Sequence, residues 1–125
     1  MVKSLTSILI ALGLLIGAAF FENWFTTTQF REFQEEIQTL YVKSENETAT
    51  SEDALAVYRS WDRRKDKLHV WIPHNDITRI DDYFSEAIRL IDDKNYSLAL
   101  AKLEILLVMC ENLPNTYSLT ISNIF

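Results

Sequence analysis

Glycine is almost missing from this 125-residue chain: Gly13 and Gly17 are the only two, and none follows them. Hairpins and bulges of a small β domain lean on glycine for positive φ. A stretch without glycine from residue 22 onward therefore argues for helices joined by Asn, Asp, Ser and Pro turns. Cysteine occurs once, at Cys110, which excludes an intrachain disulfide. Proline occurs twice, at Pro73 and Pro114, and each is expected to break or stop a helix. Basic residues number 12 against 18 acidic ones, for a net charge of −6. Lys3 is the only charged residue before Glu22, so the remainder carries −7, which disfavours nucleic acid and anionic headgroups as partners.

Charge is itself absent from residues 4–21, SLTSILIALGLLIGAAFF. A helix of this length sits at the short end of what crosses ~30 Å of hydrocarbon at ~1.5 Å per residue, and Asn23, Trp24 and Phe25 extend it. Leu5, Ile8, Leu12, Phe21 and Trp24 mark the apolar surface of this expected transmembrane anchor, residues 1–25. Trp24 with Phe20, Phe21 and Phe25 supplies the amphipathic rings that prefer the headgroup level. The amino terminus and Lys3 precede the run while Glu22 follows it. Positive-inside then predicts a single-pass protein of the cytoplasmic membrane, with the N-terminus inside and residues 26–125 outside. A cleaved secretory signal competes with this reading, because Lys3 offers an n-region and Gly17-Ala18-Ala19 a small-residue site. The aromatics continuing past the small residues favour the uncleaved anchor, and no cysteine near the run suggests a lipoprotein. Gly13 and Gly17 form a G-x-x-x-G pair, a spacing at which two helix backbones approach closely.

About 100 residues then remain, enough for one small domain. Phe30, Phe33, Ile37, Leu40 and Tyr41 recur at three-four spacing with charged residues between them, predicting an amphipathic helix that ends near Lys43. It continues from the anchor unless Thr26, Thr27 and Thr28 bend it. SENETATS, residues 44–51, reads as an exposed loop without apolar anchors. Asn46-Glu47-Thr48 and Asn95-Tyr96-Ser97 match a glycosylation acceptor pattern that arises often by chance. Thr50 with Glu52 and Asp53 predicts the capped start of a second helix carrying Leu55, Tyr58, Trp61, Leu68, Trp71 and Ile72. Its charged middle, residues 62–67, reads as a solvated face. After Pro73, His74, Asn75 and Asp76 are expected to cap a third helix with Ile77, Ile80, Phe84, Ile88 and Ile91. Asn95 caps a fourth, with Tyr96, Leu98, Ala99, Leu103, Leu106, Leu107 and Cys110 on a broad apolar stripe that Pro114 ends. The fold class is all-α: an N-terminal transmembrane helix followed by a small bundle of about four helices.

Few residues point to chemistry. His69 and His74 are five apart with Pro73 between, which does not put them on one helix face as a metal pair requires. His74 with Asp76 and Asp81 has the composition of a carboxylate-oriented imidazole. No nucleophile motif, H-E-x-x-H or glycine-rich phosphate loop accompanies it. No cofactor or metal is implied. Asp81-Asp82 and Asp92-Asp93 are adjacent pairs that diverge on a helix, and they read as solubilising. Cys110 reads as a buried thiol, with a covalent dimer as the alternative. Trp61 and Trp71 are core residues by their size. With His74, Asn123, Ile124 and Phe125 they are also candidates for interaction, the last two because large apolar groups at the end of the chain must dock somewhere.

The order of these features, anchor, Trp61 and Trp71 in a charged helix, the His74-x-x-Ile77 step, an Ala/Leu-rich last helix and the Asn123-Ile124-Phe125 ending, resembles a bacterial family. That family is the domain of unknown function 4363, of spore-forming clostridial relatives. The resemblance covers nearly the whole chain and implies a membrane-anchored helical fold without an established activity. Pro73 before His74 departs from a more continuously helical pattern. Phe84, Ala87, Tyr96, Ala99, Leu103 and Pro114 are also similar to part of a tetratricopeptide hairpin, a unit that binds peptides only when several copies stack. The expected function is a non-enzymatic interaction or structural module on the outer face of the membrane, partnered by an envelope protein or a second copy. The alternatives are a small ligand-binding or hydrolytic protein centred on His74, with His69 and Asp76 beside it, and a tetratricopeptide-like peptide-binding hairpin.

Overall fold

A computed structural model describes residues 2–70 and 72–124, with side chains up to residue 113. The described residues form four helices and no strand: α1 (Val2–Glu45), α2 (Ser51–Leu68), α3 (His74–Asp92) and α4 (Tyr96–Ile124). The all-α expectation holds, and the four helices of the bundle are the second half of α1 together with α2, α3 and α4. Thr26, Thr27 and Thr28 do not break α1, which runs as one helix of 44 residues from the apolar run into the core.

That core begins abruptly. Residues 2–18 of α1 are exposed, whereas Thr26, Phe30, Phe33, Ile37, Leu40 and Ser44 are buried, alternating by four and three along one helix face. The Thr26 hydroxyl has no hydrogen-bond partner among the described residues. Each helix packs on its neighbours in sequence, and α1 closes the ring on α4, as in an up-down-up-down bundle with short connections. Trp61, Phe30, Phe33 and Phe84 are the largest fully buried side chains. Phe33 stacks on Trp61 at 4.9 Å between centroids and on Phe84 at 6.0 Å, so one ring ties α1 to both α2 and α3.

The turns explain how a domain without glycine closes. Glu47 and Lys94 both adopt left-handed φ, at 57° and 59°. Thr48 N–H donates to the Lys43 carbonyl at 2.8 Å and Asn95 N–H to the Leu90 carbonyl at 2.8 Å, the long bond of a Schellman cap. The position such caps reserve for glycine is held here by Glu and Lys. α2 opens with the expected Thr50 cap, in fuller form: Asp53 N–H donates to Thr50 Oγ1 and Thr50 N–H to the Asp53 carboxylate, a reciprocal capping box. The two turns lie at one end of the bundle, joined by Ser51 Oγ–H to Asp92 at 2.6 Å and by Tyr96 O–H to the Ala49 carbonyl at 2.8 Å.

Several local expectations are corrected. The 44–51 loop is anchored, because Ser44 and Ala49 are buried. In α2, Ala54 occupies the core position expected of Leu55, which is exposed. α2 ends at Leu68, before Ile72, and the chain turns with Ile72 N–H on the Leu68 carbonyl at 2.8 Å. His74, Asn75 and Asp76 do not cap α3: Pro73 stands at its N-cap, without a side-chain cap bond, and His74 is the first helical residue. Proline suits a helix start because its missing N–H would have no partner there. Pro114 does not end α4, which continues to Ile124. A proline inside a helix removes one i→i−4 bond and bends the axis without obliging the chain to leave it.

Candidate functional site

Three places carry features beyond packing: the N-terminal arm, the α2–α3 turn and the outer face of α4. In the arm, Leu5, Ile8, Leu12, Phe21 and Trp24 are exposed, Trp24 at 64%. α1 is long and apolar enough here to cross a membrane, and none of that window is covered by the bundle. A β-carbon added at Gly13 or Gly17 would meet nothing within 4 Å, so this small-residue face is open. Phe21 lies 6.3 Å from Trp24 and 5.9 Å from Phe25, which clusters the rings where the arm meets the bundle.

The α2–α3 turn brings His69 and His74 together. Their rings are 5.9 Å apart and nearly parallel, at 19°, and both residues are exposed. Spacing along one helix missed this because the two residues lie on either side of a turn that folds back at Pro73. His74 Nε2 also sits 3.4 Å from Thr78 Oγ1. Among the described residues no group of three or more metal-ligating side chains forms. Asp76 stands in the first turn of α3, where a carboxylate complements the positive helix end.

Asp81 is not an orienter of His74. It accepts from Trp61 Nε1–H at 2.7 Å and pairs with Lys65 at 3.4 Å, so its carboxylate satisfies the one polar group of a buried indole. The solubilising role expected of it is corrected accordingly. Trp61 is fully buried and offers no surface to a partner. Lys65 bridges Asp62 at 3.0 Å and Asp81, and its pKa is raised, first by the hydrogen bond to Asp62. Arg64 makes the corresponding junction to α1, donating to Gln29 at 2.7 Å and Glu32 at 2.9 Å, with Glu36 at 3.6 Å. Ser60 O–H donates to Glu36 at 2.7 Å, completing the network. The charged middle of α2 is thus partly structural, which its charge pattern alone did not reveal.

On α4, Leu98 is exposed although it belongs to the stripe expected to be enclosed, and Ile105 and Val108 are exposed beside it. Ala99, Leu103, Leu106 and Cys110 fill the core as expected, leaving Leu98, Ala101, Ile105, Val108 and Asn112 as a second three-four repeat on the outside. With Arg79, Glu104, Met109 and Leu113 the last four of these line a shallow groove of ≈ 550 Å³ between α3 and α4. Cys110 is buried and free, and desolvation pushes its thiol up to about 12. Ala87, Ala99 and Leu103, the inner residues of the tetratricopeptide-like hairpin, are fully buried in the bundle core, so that face is not open to a peptide. Asn123 and Ile124 lie in α4 with side chains outside the described residues, and Trp71 and Phe125 lie outside them altogether.

The chain matches the family model of a domain of unknown function (DUF4363) over residues 21–124, which spans the whole bundle and leaves out most of the arm. It belongs to that family. No curated protein and no solved structure matches the DUF4363 chain. The family boundary at residue 21 falls within the Phe21–Trp24–Phe25 cluster, just before burial begins at Thr26.

Proposed function

We propose that this DUF4363 protein is a non-enzymatic helical interaction module, held on the outer face of a bacterial cytoplasmic membrane by its N-terminal helix. The observation that carries the reading is the pairing of an uncovered apolar arm with a closed bundle that still exposes Leu98, Ile105 and Val108 on one helix. The arm confines the domain to a thin layer, where partners meet at high effective concentration and a modest helical face suffices. The N-terminus-inside orientation rests on Lys3 before the apolar run and Glu22 after it. Crosslinking in native membranes, followed by identification of the attached proteins, tests the proposal. Recovery of an envelope protein or a second copy through the wild-type chain, and its loss on Val108→Asp in a folded, membrane-bound variant, is the expected result. An identical crosslinking pattern for that variant removes the α4 face from the proposal.

A second reading, small-ligand or hydrolytic chemistry at His74, draws support from the stacked His69–His74 pair. Asp81 lends it none, being engaged by Trp61 and Lys65. Substituting His74 by Ala separates the two: loss of function in a fully folded protein favours the histidine reading, and an unchanged phenotype excludes it.

A further inference from the structure

The two ends of the bundle differ in charge, and the difference follows the arm. At the end away from it, the α1–α2 and α3–α4 turns carry Glu45, Glu47, Glu52, Asp92 and Asp93 beside Lys94. At the arm end, the described residues 68–70 and 72–75 contain no Asp, Glu, Lys or Arg, and neither do residues 112–124, the final turns of α4. Val70, at the tip of the α2–α3 turn, is 75% exposed.

Register fixes where this neutral end lies. Lys43 pairs with Asp53, Ser60 with Glu36, and Arg64 with Glu32 and Gln29, so α2 runs back along α1 toward the arm. At ~1.5 Å per residue the turn after Leu68 is about level with residues 24–28 of α1. Leu113, 17 residues beyond Tyr96 on a helix antiparallel to α1, reaches about the same level. Trp24 and the ring cluster are therefore beside the turn, and no break in α1 separates the bundle from the arm. A rigid helix allows no spacer between them.

We propose that this neutral end of the bundle is a second membrane contact, with Val70 and the uncharged end of α4 resting in the lipid headgroup layer beside the arm. The proposal rests on the reading of the arm as a transmembrane helix. Its partner is the apolar–polar boundary of the bilayer rather than anionic headgroups, because the contacting segments carry no cation. The bundle then stands on the membrane with its acidic end farthest from the surface.

The test uses the full chain in phosphatidylcholine vesicles, with a polarity-sensitive fluorophore attached to Val70→Cys or, as the far-end control, to Asn46→Cys. Both sites are exposed, and the buried Cys110 thiol stays unlabelled at neutral pH. Doxyl-labelled lipid is expected to quench the label at position 70 about threefold or more beyond that at position 46, equally at low and high salt. Equal quenching in protein that floats with the vesicles overturns the surface contact while leaving the arm reading intact. Failure to float overturns both, and the two failures are thus told apart.

Discussion

The indole N–H of Trp61 donates to the carboxylate of Asp81 across 2.7 Å, joining the most buried aromatic of α2 to the second turn of α3. The ring meanwhile stacks on Phe33 of α1 at 4.9 Å. Three helices therefore converge on one side chain. Asp81→Ala strands a buried donor and is expected to cost about 1–3 kcal/mol, whereas Asp81→Asn keeps an acceptor and costs less. Trp61→Ala, which also opens a cavity, is expected to cost about 3–5 kcal/mol. Chemical denaturation of the full chain in detergent, followed by far-UV circular dichroism, ranks the three. An Asp81→Ala variant as stable as wild type shows that the bond contributes nothing.

Glycine scarcity leaves a reserve of stability. Glu47 and Lys94 hold left-handed φ in Schellman caps, a conformation that costs a side chain bearing a β-carbon about 1–2 kcal/mol. Lys94→Gly and Glu47→Gly are each expected to stabilise the bundle, by about 1 kcal/mol at most after the added unfolded-state entropy of glycine. Their sites lie on separate turns, so the gains are expected to add in the double variant. A fall in melting temperature in both single variants contradicts this account.

Acid should loosen the same end of the bundle. Backbone hydrogen bonding from Thr50, aided by Lys43, holds the Asp53 carboxyl below its ordinary value of 3.8. A carboxylate depressed in the folded state contributes stability that is present above its unfolded pKa and is lost as pH falls through the folded one. Wild type and Asp53→Asn are therefore expected to differ in melting temperature at pH 7, and the gap to close below about pH 4. Lys65 carries the opposite sign. Its raised pKa, owed first to Asp62, gives stability that is present below 10.5 and lost as pH rises beyond it. A gap for Asp53→Asn that persists unchanged at pH 3 removes the capping box as its cause.

Much of the architecture was legible because a three-four repeat of large apolar residues allows few alternatives. Phe30, Phe33, Ile37 and Leu40 on α1, and Ile77, Ile80, Phe84 and Ile91 on α3, are buried as their spacing implies. The errors fall where tertiary context decides. Whether Ala54 or Leu55 faces inward depends on the rotation of α2, which the Arg64 and Ser60 contacts to α1 help set. The His69–His74 contact depends on a turn, and periodicity carries no information across a turn. Pro114 stands inside α4 because a proline weighs heavily in an isolated helix and less in one that packs on two neighbours. Asp81 looked like a solvated charge, and only the position of the Trp61 indole gives it a partner.

Cys110 tests the solidity of the packing around α4. It is buried with a thiol pKa of about 12, so almost no thiolate exists at neutral pH and none of it is accessible. Maleimide should modify the native protein slowly at pH 7.5 and rapidly once denaturant is added. Non-reducing electrophoresis should show monomer alone. Fast labelling without denaturant, or a disulfide-linked dimer, means that α4 opens at Cys110 in the native state.

Orientation is decided by few charges and is therefore the easiest feature to reverse. Lys3 is the only cationic side chain before the apolar run, and Glu22 follows it directly. Positive residues within about 15–20 positions of a span bias its orientation far more than negative ones. With the N-terminus inside, protease added to intact cells lacking an outer barrier should degrade the bundle and leave a fragment little longer than the arm. Lys3→Glu combined with Glu22→Lys and Asn23→Lys transfers the cationic bias to the other flank. In that variant a share of the molecules is expected to become protease-resistant until the cells are lysed. Protection of the wild-type bundle in intact cells, with digestion after lysis, assigns it to the cytoplasm and ends the envelope reading, whereas the internal packing of the bundle is indifferent to the side on which it stands.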